Sequence, residues 1–220
     1  MAEQIADTIA REITHGRLAA GQKLSEVELA NRFGVSRGPV RDALDLLERN
    51  MLVAIKPRSH TRVNRLTVRE LDQLFTFRRQ VLAIAAQFAA RNRSAKDIIE
   101  LSLGLERVNN SMTTQSQNFS MQTYIATQMW DMIIAASHSH IVRQACMHFT
   151  GGNIWSLAIQ DRLVQDKVAA HGQIRFTLWQ SVCEAIENQD ETVAYQAGET
   201  LVANNWDFLK HMFQQCFPEN

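Results

Sequence analysis

The chain has 220 residues, 45% apolar and 21% charged, with 9 Gly and only 3 Pro, an ordinary globular composition that favours helix. No run reaches the roughly 18 consecutive apolar residues of a membrane span, and the first residues lack a basic segment followed by an apolar core, so neither a span nor a secretory leader is expected. The zero formal net charge conceals a local excess, because residues 32–65 hold 8 Lys/Arg against 3 Asp/Glu, a pattern that can serve as a phosphate-contacting footprint. Cys146, Cys183 and Cys216 are far apart and odd in number, and fit neither a disulfide framework nor a zinc site. Reduced thiols and a cytoplasmic setting are the expectation.

Ile5, Ile9 and Ile13, with Ala6 and Ala10, recur at helical spacing and predict an amphipathic helix ending near Gly16. After a turn through residues 18–21, Ser25-Glu-Val-Glu28 reads as a capping box, with Leu24 and Leu29 as its hydrophobic staple. The second helix carries Val27, Leu29, Ala30 and Phe33 and stops at Gly34. Ser36 then stands as the N-cap of a third helix, whose stripe Val40, Ala43, Leu44 and Leu47 follows i, i+3, i+4, i+7.

Two short helices, a Gly turn and a third helix form a helix-turn-helix. Arg37 and Arg41 are one turn apart at the start of the third helix, away from its apolar stripe, while the acids Asp42, Asp45 and Glu48 come later. In this motif the N-terminal part of the second motif helix enters the major groove, where an arginine can donate two hydrogen bonds to guanine O6 and N7. Residues 52–56 and 61–65 predict two short strands around a turn, with Val63 inward and Arg62 and Asn64 outward. Arg58, His60 and Arg62 make this hairpin basic, as a wing that contacts phosphates or the adjacent minor groove would be.

The runs Gly16-Arg-Leu-Ala-Ala-Gly21-Gln-Lys-Leu24-Ser-Glu26 and Leu29-Ala-Asn-Arg-Phe-Gly-Val-Ser-Arg-Gly-Pro-Val-Arg-Asp-Ala-Leu44, followed by Leu47 and Leu52-Val53, resemble the winged helix-turn-helix of the GntR family. The likeness covers nearly all of residues 5–65. It implies contacts to double-stranded operator DNA from Ser36, Arg37 and Arg41, and wing contacts near Arg58 and His60. Two positions depart from the family pattern: Ala20 stands where Pro is usual, and His60 where the wing tip usually has Gly.

Beyond residue 66, Thr67-Val-Arg-Glu70 predicts another capping box, stapled by Leu66 and Leu71. It opens a helix to about residue 92, with Leu71, Leu74, Phe75, Val81, Leu82, Ala85, Phe88 and Ala89 on its apolar face. Ser94 caps the next helix, which carries Ile98, Leu101, Leu105, Val108 and Met112. A polar stretch over residues 113–118 leads to further helical patterns at about 119–136, 139–149, 152–169, 171–188 and 191–215, with Gln189-Asp190 as the last turn. No strand pattern, Gly-rich phosphate loop, paired-Cys motif or nucleophile elbow is readable here. The expected fold is mainly α: a winged helix-turn-helix over residues 1–66, with three helices and a two-stranded wing, then an all-α bundle of six or seven helices over 67–220.

Phe77-Arg-Arg-Gln-Val-Leu…Ala89-Ala90, Ile134-Ala-Ala-Ser137 and Ala185-Ile-Glu-Asn-Gln-Asp190…Ala194 resemble the effector domain of the FadR branch of that family. Many members hold a metal there with an Asp and a His one turn apart and two further His. Those positions fall at Ala126, Trp130, Trp179 and Leu201, none of which ligates a metal. His138, His140, His148, His171 and His211 are scattered. No metal and no cofactor are therefore expected, and Arg78, Trp130 and Trp179 would line a pocket for an apolar or flat acid anchored by Arg78. The resemblance implies a homodimeric, ligand-responsive repressor on a pseudo-palindromic operator, with no membrane partner. Two alternatives stay open: a DNA-binding dimer whose indoles are plain core, and a helical-bundle enzyme, for which no nucleophile–base pair is readable.

Overall fold

The computed structural model describes residues 1–55, 60–113, 119–149 and 172–216. One compact unit is built on Met1–Thr67, and another on Val68–Met147 with the helices after residue 171. The first contains α1 (Ala2–Thr14), β1 (Lys23–Leu24), α2 (Glu26–Phe33), α3 (Arg37–Arg49), β2 (Val53–Ala54) and β3 (Thr61–Val63). Its core is the apolar stripe of each helix: Ile5, Ile9 and Ile13 from α1, Leu29 and Ala30 from α2, and Val40, Ala43, Leu44 and Leu47 from α3, closed by Leu24, Leu52, Val53 and Val63. Each large aliphatic side chain so buried contributes about 1.5–3 kcal/mol against leaving it in water. Val27, expected on the apolar side of α2, is 51% exposed; it lies in the first turn, beyond the reach of the stripe formed by Leu29 and Ala30. Arg32 reaches back from α2 to Glu12 of α1, with Nη1 donating to Oε2 at 2.8 Å and Nη2 donating to Oε1.

The sheet has three strands, not the two expected, in the order β1-β3-β2 with both pairings antiparallel. Val63 pairs with Val53 and Arg62 with Ala54 on one side of β3, while Lys23 and Leu24 pair with Arg62 and Thr61 on the other. The chain entering α2 runs extended along the free edge of β3, where Val63 N donates to Gln22 O at 2.8 Å and Gly21 N to Val63 O at 2.9 Å. A two-residue strand has no alternation to read, so only the satisfaction of that edge reveals it.

Ser25 caps α2 by accepting from Glu28 N at 3.4 Å, as its place before the helix predicts. The same helix ends on Gly34 at φ 65°, ψ 35°, where Val35 N returns to Ala30 O at 3.0 Å. A Cβ at Gly34 would meet no atom within 4 Å, so only the left-handed backbone selects glycine there.

The second unit is helical among its described residues: α4 (Val68–Asn92), α5 (Ala95–Thr113), α6 (Phe119–Ala136), α7 (His140–Phe149), α8 (Gly172–Glu187) and α9 (Glu191–Cys216). None of these helices is long and apolar enough to cross a membrane. The expected helix at 152–169 lies outside the described residues. α4 is the centre, burying Leu71, Phe75, Leu82, Ala85, Ala86 and Ala89 and packing on α6, α8 and most extensively α9. Alanines let the partner helices come close, and at Gly198 of α9 a Cβ would lie 3.2 Å from both Ala83 Cα and Leu82 O. At one end of this pair Phe75 and Trp206 stack at 4.8 Å between centroids, and Trp206 Nε1 donates to Asp72 at 2.8 Å. At the other end Arg93 donates to the carbonyls of Ile186 at 3.0 Å and Glu187 at 2.6 Å, capping α8. Ser94 caps α5 as expected, accepting from Asp97 N at 3.3 Å while Asp97 Oδ2 accepts from Ser94 N at 2.7 Å.

Gly34→Ala should cost about 1–2 kcal/mol through backbone strain alone, with Gly34→Asn costing less. Urea unfolding monitored in the first unit checks this, and equal stability of the alanine variant would count against a strained turn.

Candidate functional site

α3 starts at Arg37, with exposed Ser36 before it in N-cap geometry at φ −70° and ψ 168°. The hydroxyl of Ser36 nevertheless makes no cap hydrogen bond, contrary to the expectation of a side-chain cap. Of the two amides a cap hydroxyl can accept from, those of the second and third helical residues, the third is missing here because that residue is Pro39. The Ser36 hydroxyl therefore carries no duty within the helix.

Arg37 and Arg41 project from the face opposite Val40, Ala43, Leu44 and Leu47, each with 61% of its side chain exposed. Nη2 of both lies 3.1 Å from one oxygen, Oε2 of Glu26 in the first turn of α2. Hydrogen bonds from Arg41 and then Arg37 hold the Glu26 carboxyl below its ordinary range. Sequence reading missed this contact, since separations of 11 and 15 residues carry no periodic signal. His60, just before β3, is exposed, and Arg62 is exposed on β3 with Nη1 donating to Gly21 O at 3.0 Å, so part of its fork anchors the strand. Arg58 lies outside the described residues.

In the helical unit, Arg78 on α4 is only 9% exposed. Its Cζ sits 4.7 Å from the Trp130 ring centroid and 5.8 Å from that of Phe75. Its Nε and Nη1, and the Trp130 indole N–H, are buried without a hydrogen-bond partner. Burial pushes the guanidinium down to about 10. A desolvated cation with unmet donors beside an aromatic plate is suited to a small anion carrying a flat apolar body.

Trp179 is also buried, away from Arg78, and lines a cavity of about 20 Å³ with Ala126 and Arg175 among its walls. That volume holds about one water. Leu201 is buried in the core. A larger concavity of about 310 Å³, lined by Ile98, Leu101, Leu105, Phe176 and Cys183 with Glu184 and Glu187, was not anticipated from sequence. Its Cys183 thiol is pushed up to about 12, chiefly by burial. Among the described residues, no three His, Cys, Asp or Glu side chains gather as a metal would require, and His138 Nε2 is 2.8 Å from Asp97.

The first unit defines a winged helix-turn-helix. Residues 1–63 match the family model described as "Bacterial regulatory proteins, gntR family". The chain is 35% identical over 88 residues to the HTH-type transcriptional repressor RspR of Escherichia coli, covering 40% of this chain and 39% of that protein. It is 21% identical over 145 residues to the uncharacterized HTH-type transcriptional regulator YdhC of Bacillus subtilis, covering 66% of this chain and 64% of that one. These matches span less than two thirds of either relative. Both relatives bear the names of HTH-type transcriptional regulators. The solved structure of E. coli McbR/YncC has the same fold, with a TM-score of 0.79 over 96% of this chain and 98% of that one at 18% identity.

Burial that holds the Arg78 guanidinium down at about 10 opposes folding by roughly 3 kcal/mol, and cation–π contact returns about 1–2 kcal/mol. Arg78→Met should therefore raise the unfolding free energy at neutral pH by about 1–2 kcal/mol. The folded pKa lies below the unfolded one, so the penalty is complete below about 10 and fades as pH rises toward the ordinary guanidinium range. Denaturant titration of both proteins checks the sign, and a destabilised methionine variant would refute it.

Proposed function

We propose that this chain is a DNA-binding transcription regulator of the GntR family, of the FadR branch, acting in the cytoplasm as a homodimeric repressor. The observation that carries this reading is the exposed pair Arg37 and Arg41 on the leading turn of α3, in a head that matches the gntR model. Their guanidiniums suit the O6 and N7 acceptors of guanine in the major groove. Ser36, with its hydroxyl free of capping, suits a backbone phosphate, and His60, Arg62 and Arg58 suit wing contacts. Two heads would read half-sites one helical turn or less apart in a pseudo-palindrome.

Residues 67–220 would dimerise and hold an effector. The unmet donors of Arg78 against Trp130 support an apolar or flat acid as that effector. The effector changes DNA affinity only by its differential affinity for two arrangements of the dimer. The cavity beside Trp179, about 20 Å³, favours a second reading in which this unit dimerises and takes no small molecule.

Selection of bound sequences from a random duplex pool tests the DNA role. Arg41→Ala should weaken binding by about 1–3 kcal/mol and relax preference at one position of each half-site. A pool that yields no consensus, or an alanine variant with unchanged preference, rejects the assignment. For the effector, a thermal-shift panel of aliphatic and aromatic acids should give a stabilised wild type, by about 2.7 kcal/mol at a hundredfold excess over Kd, and no response in Arg78→Met. A flat panel selects the second reading.

A further inference from the structure

We infer, on the reading that α3 enters the major groove, that Glu26 is a specificity-determining residue, holding the Arg37 and Arg41 guanidiniums side by side for a base edge while restraining them from indiscriminate phosphate binding. Two guanidiniums one helical turn apart repel each other unless an anion lies between them. Here the anion is supplied by another helix: both Nη2 atoms converge at 3.1 Å on the single oxygen Oε2 of Glu26. The carboxylate is the more covered partner, with 27% of its side chain exposed against 61% for each arginine, so the guanidiniums face outward over it. α2 and α3 share the core through Leu29, Ala30, Val40 and Leu44, so the distance between carboxylate and arginines is set by the fold.

Exposed ion pairs add little to stability, so stability does not account for the arrangement. Its effect falls on recognition. Each guanidinium has five N–H donors, and the carboxylate occupies only the Nη2 position of each. The remaining edge is oriented before DNA arrives, which lowers the ordering cost of a bidentate base contact. The three side chains together carry a single positive charge, so their pull on a phosphate is weaker than that of two unrestrained arginines. Weakening the non-specific mode raises selectivity as effectively as strengthening the specific one.

The test uses the full chain, the consensus duplex that wild type recovers from a random pool, and a scrambled duplex of equal length. Binding is followed by fluorescence anisotropy over a salt series. Glu26→Gln should bind the scrambled duplex on the order of 3–10-fold tighter, with a log K against log salt slope steeper by about 0.9, the increment of one added phosphate contact. Its preference for the consensus should fall by a similar factor, and Glu26→Asp, which keeps the charge, should stay closer to wild type. A glutamine variant with wild-type slope, selectivity and melting temperature overturns the inference. So does one that melts early and loses affinity for both duplexes alike, which would mark Glu26 as structural. Failure of the wild type to recover any consensus is read before a variant is made, and it removes the DNA reading and this inference together.

Discussion

Val40, Ala43, Leu44 and Leu47 bury one stripe of α3 against the Ile5, Ile9 and Ile13 row of α1, and a helix with one face fixed in a core has the opposite face fixed toward solvent. Every feature of the candidate interface follows from that constraint. It puts Arg37 and Arg41 outside and sets α2 at a distance where Glu26 reaches both. Gly34 closes α2 tightly enough for α3 to begin three residues later. Pro39 fixes the backbone in the first turn of α3, at the expense of one of the amides that Ser36 could have capped.

The helical unit follows a different logic. Its helices meet through alanines and a glycine on α4 and α9, which brings backbones close and leaves little room for polar side chains. Arg78 is the exception, a cation held in the core by aromatic faces rather than by a carboxylate. Such a group works against the fold it sits in, and groups of that kind are characteristic of sites where stability is traded for binding. Arg175, whose guanidinium burial also pushes down to about 10, belongs to the same unit and lines the small cavity with Trp179.

Legibility in the sequence tracked the range of the interaction. Helices α1 to α3 were readable because each has a strong apolar period and local end signals, Ser25 and Gly34 above all. The exposed placement of Arg37 and Arg41 was readable for the same reason, since a stripe at i, i+3, i+4 and i+7 implies its opposite. Ser36 misled because the cap preference is a property of the residue, whereas the bond depends on the amides ahead of it, one of which Pro39 removes. β1 escaped notice because two residues have no period, and Glu26 because its partners are brought to it only by the packing of two helices. In the bundle the sequence marked Arg78, Trp130 and Trp179 as interior, yet it carried no information on which of them touch. The structure joins the first two and sets the third against Ala126.

With no side chain at residue 198, α9 lies backbone to backbone against Leu82 and Ala83 of α4. Neither helix can roll about its own axis without driving main-chain atoms together. The stacked Phe75 and Trp206, and the pairing of Arg91 with Glu191, pin the two helices at either side of that contact. The two helices are therefore packed together as one slab. Because Arg78 is part of α4, one turn before Leu82, a tug on its guanidinium is transmitted to both helices at once.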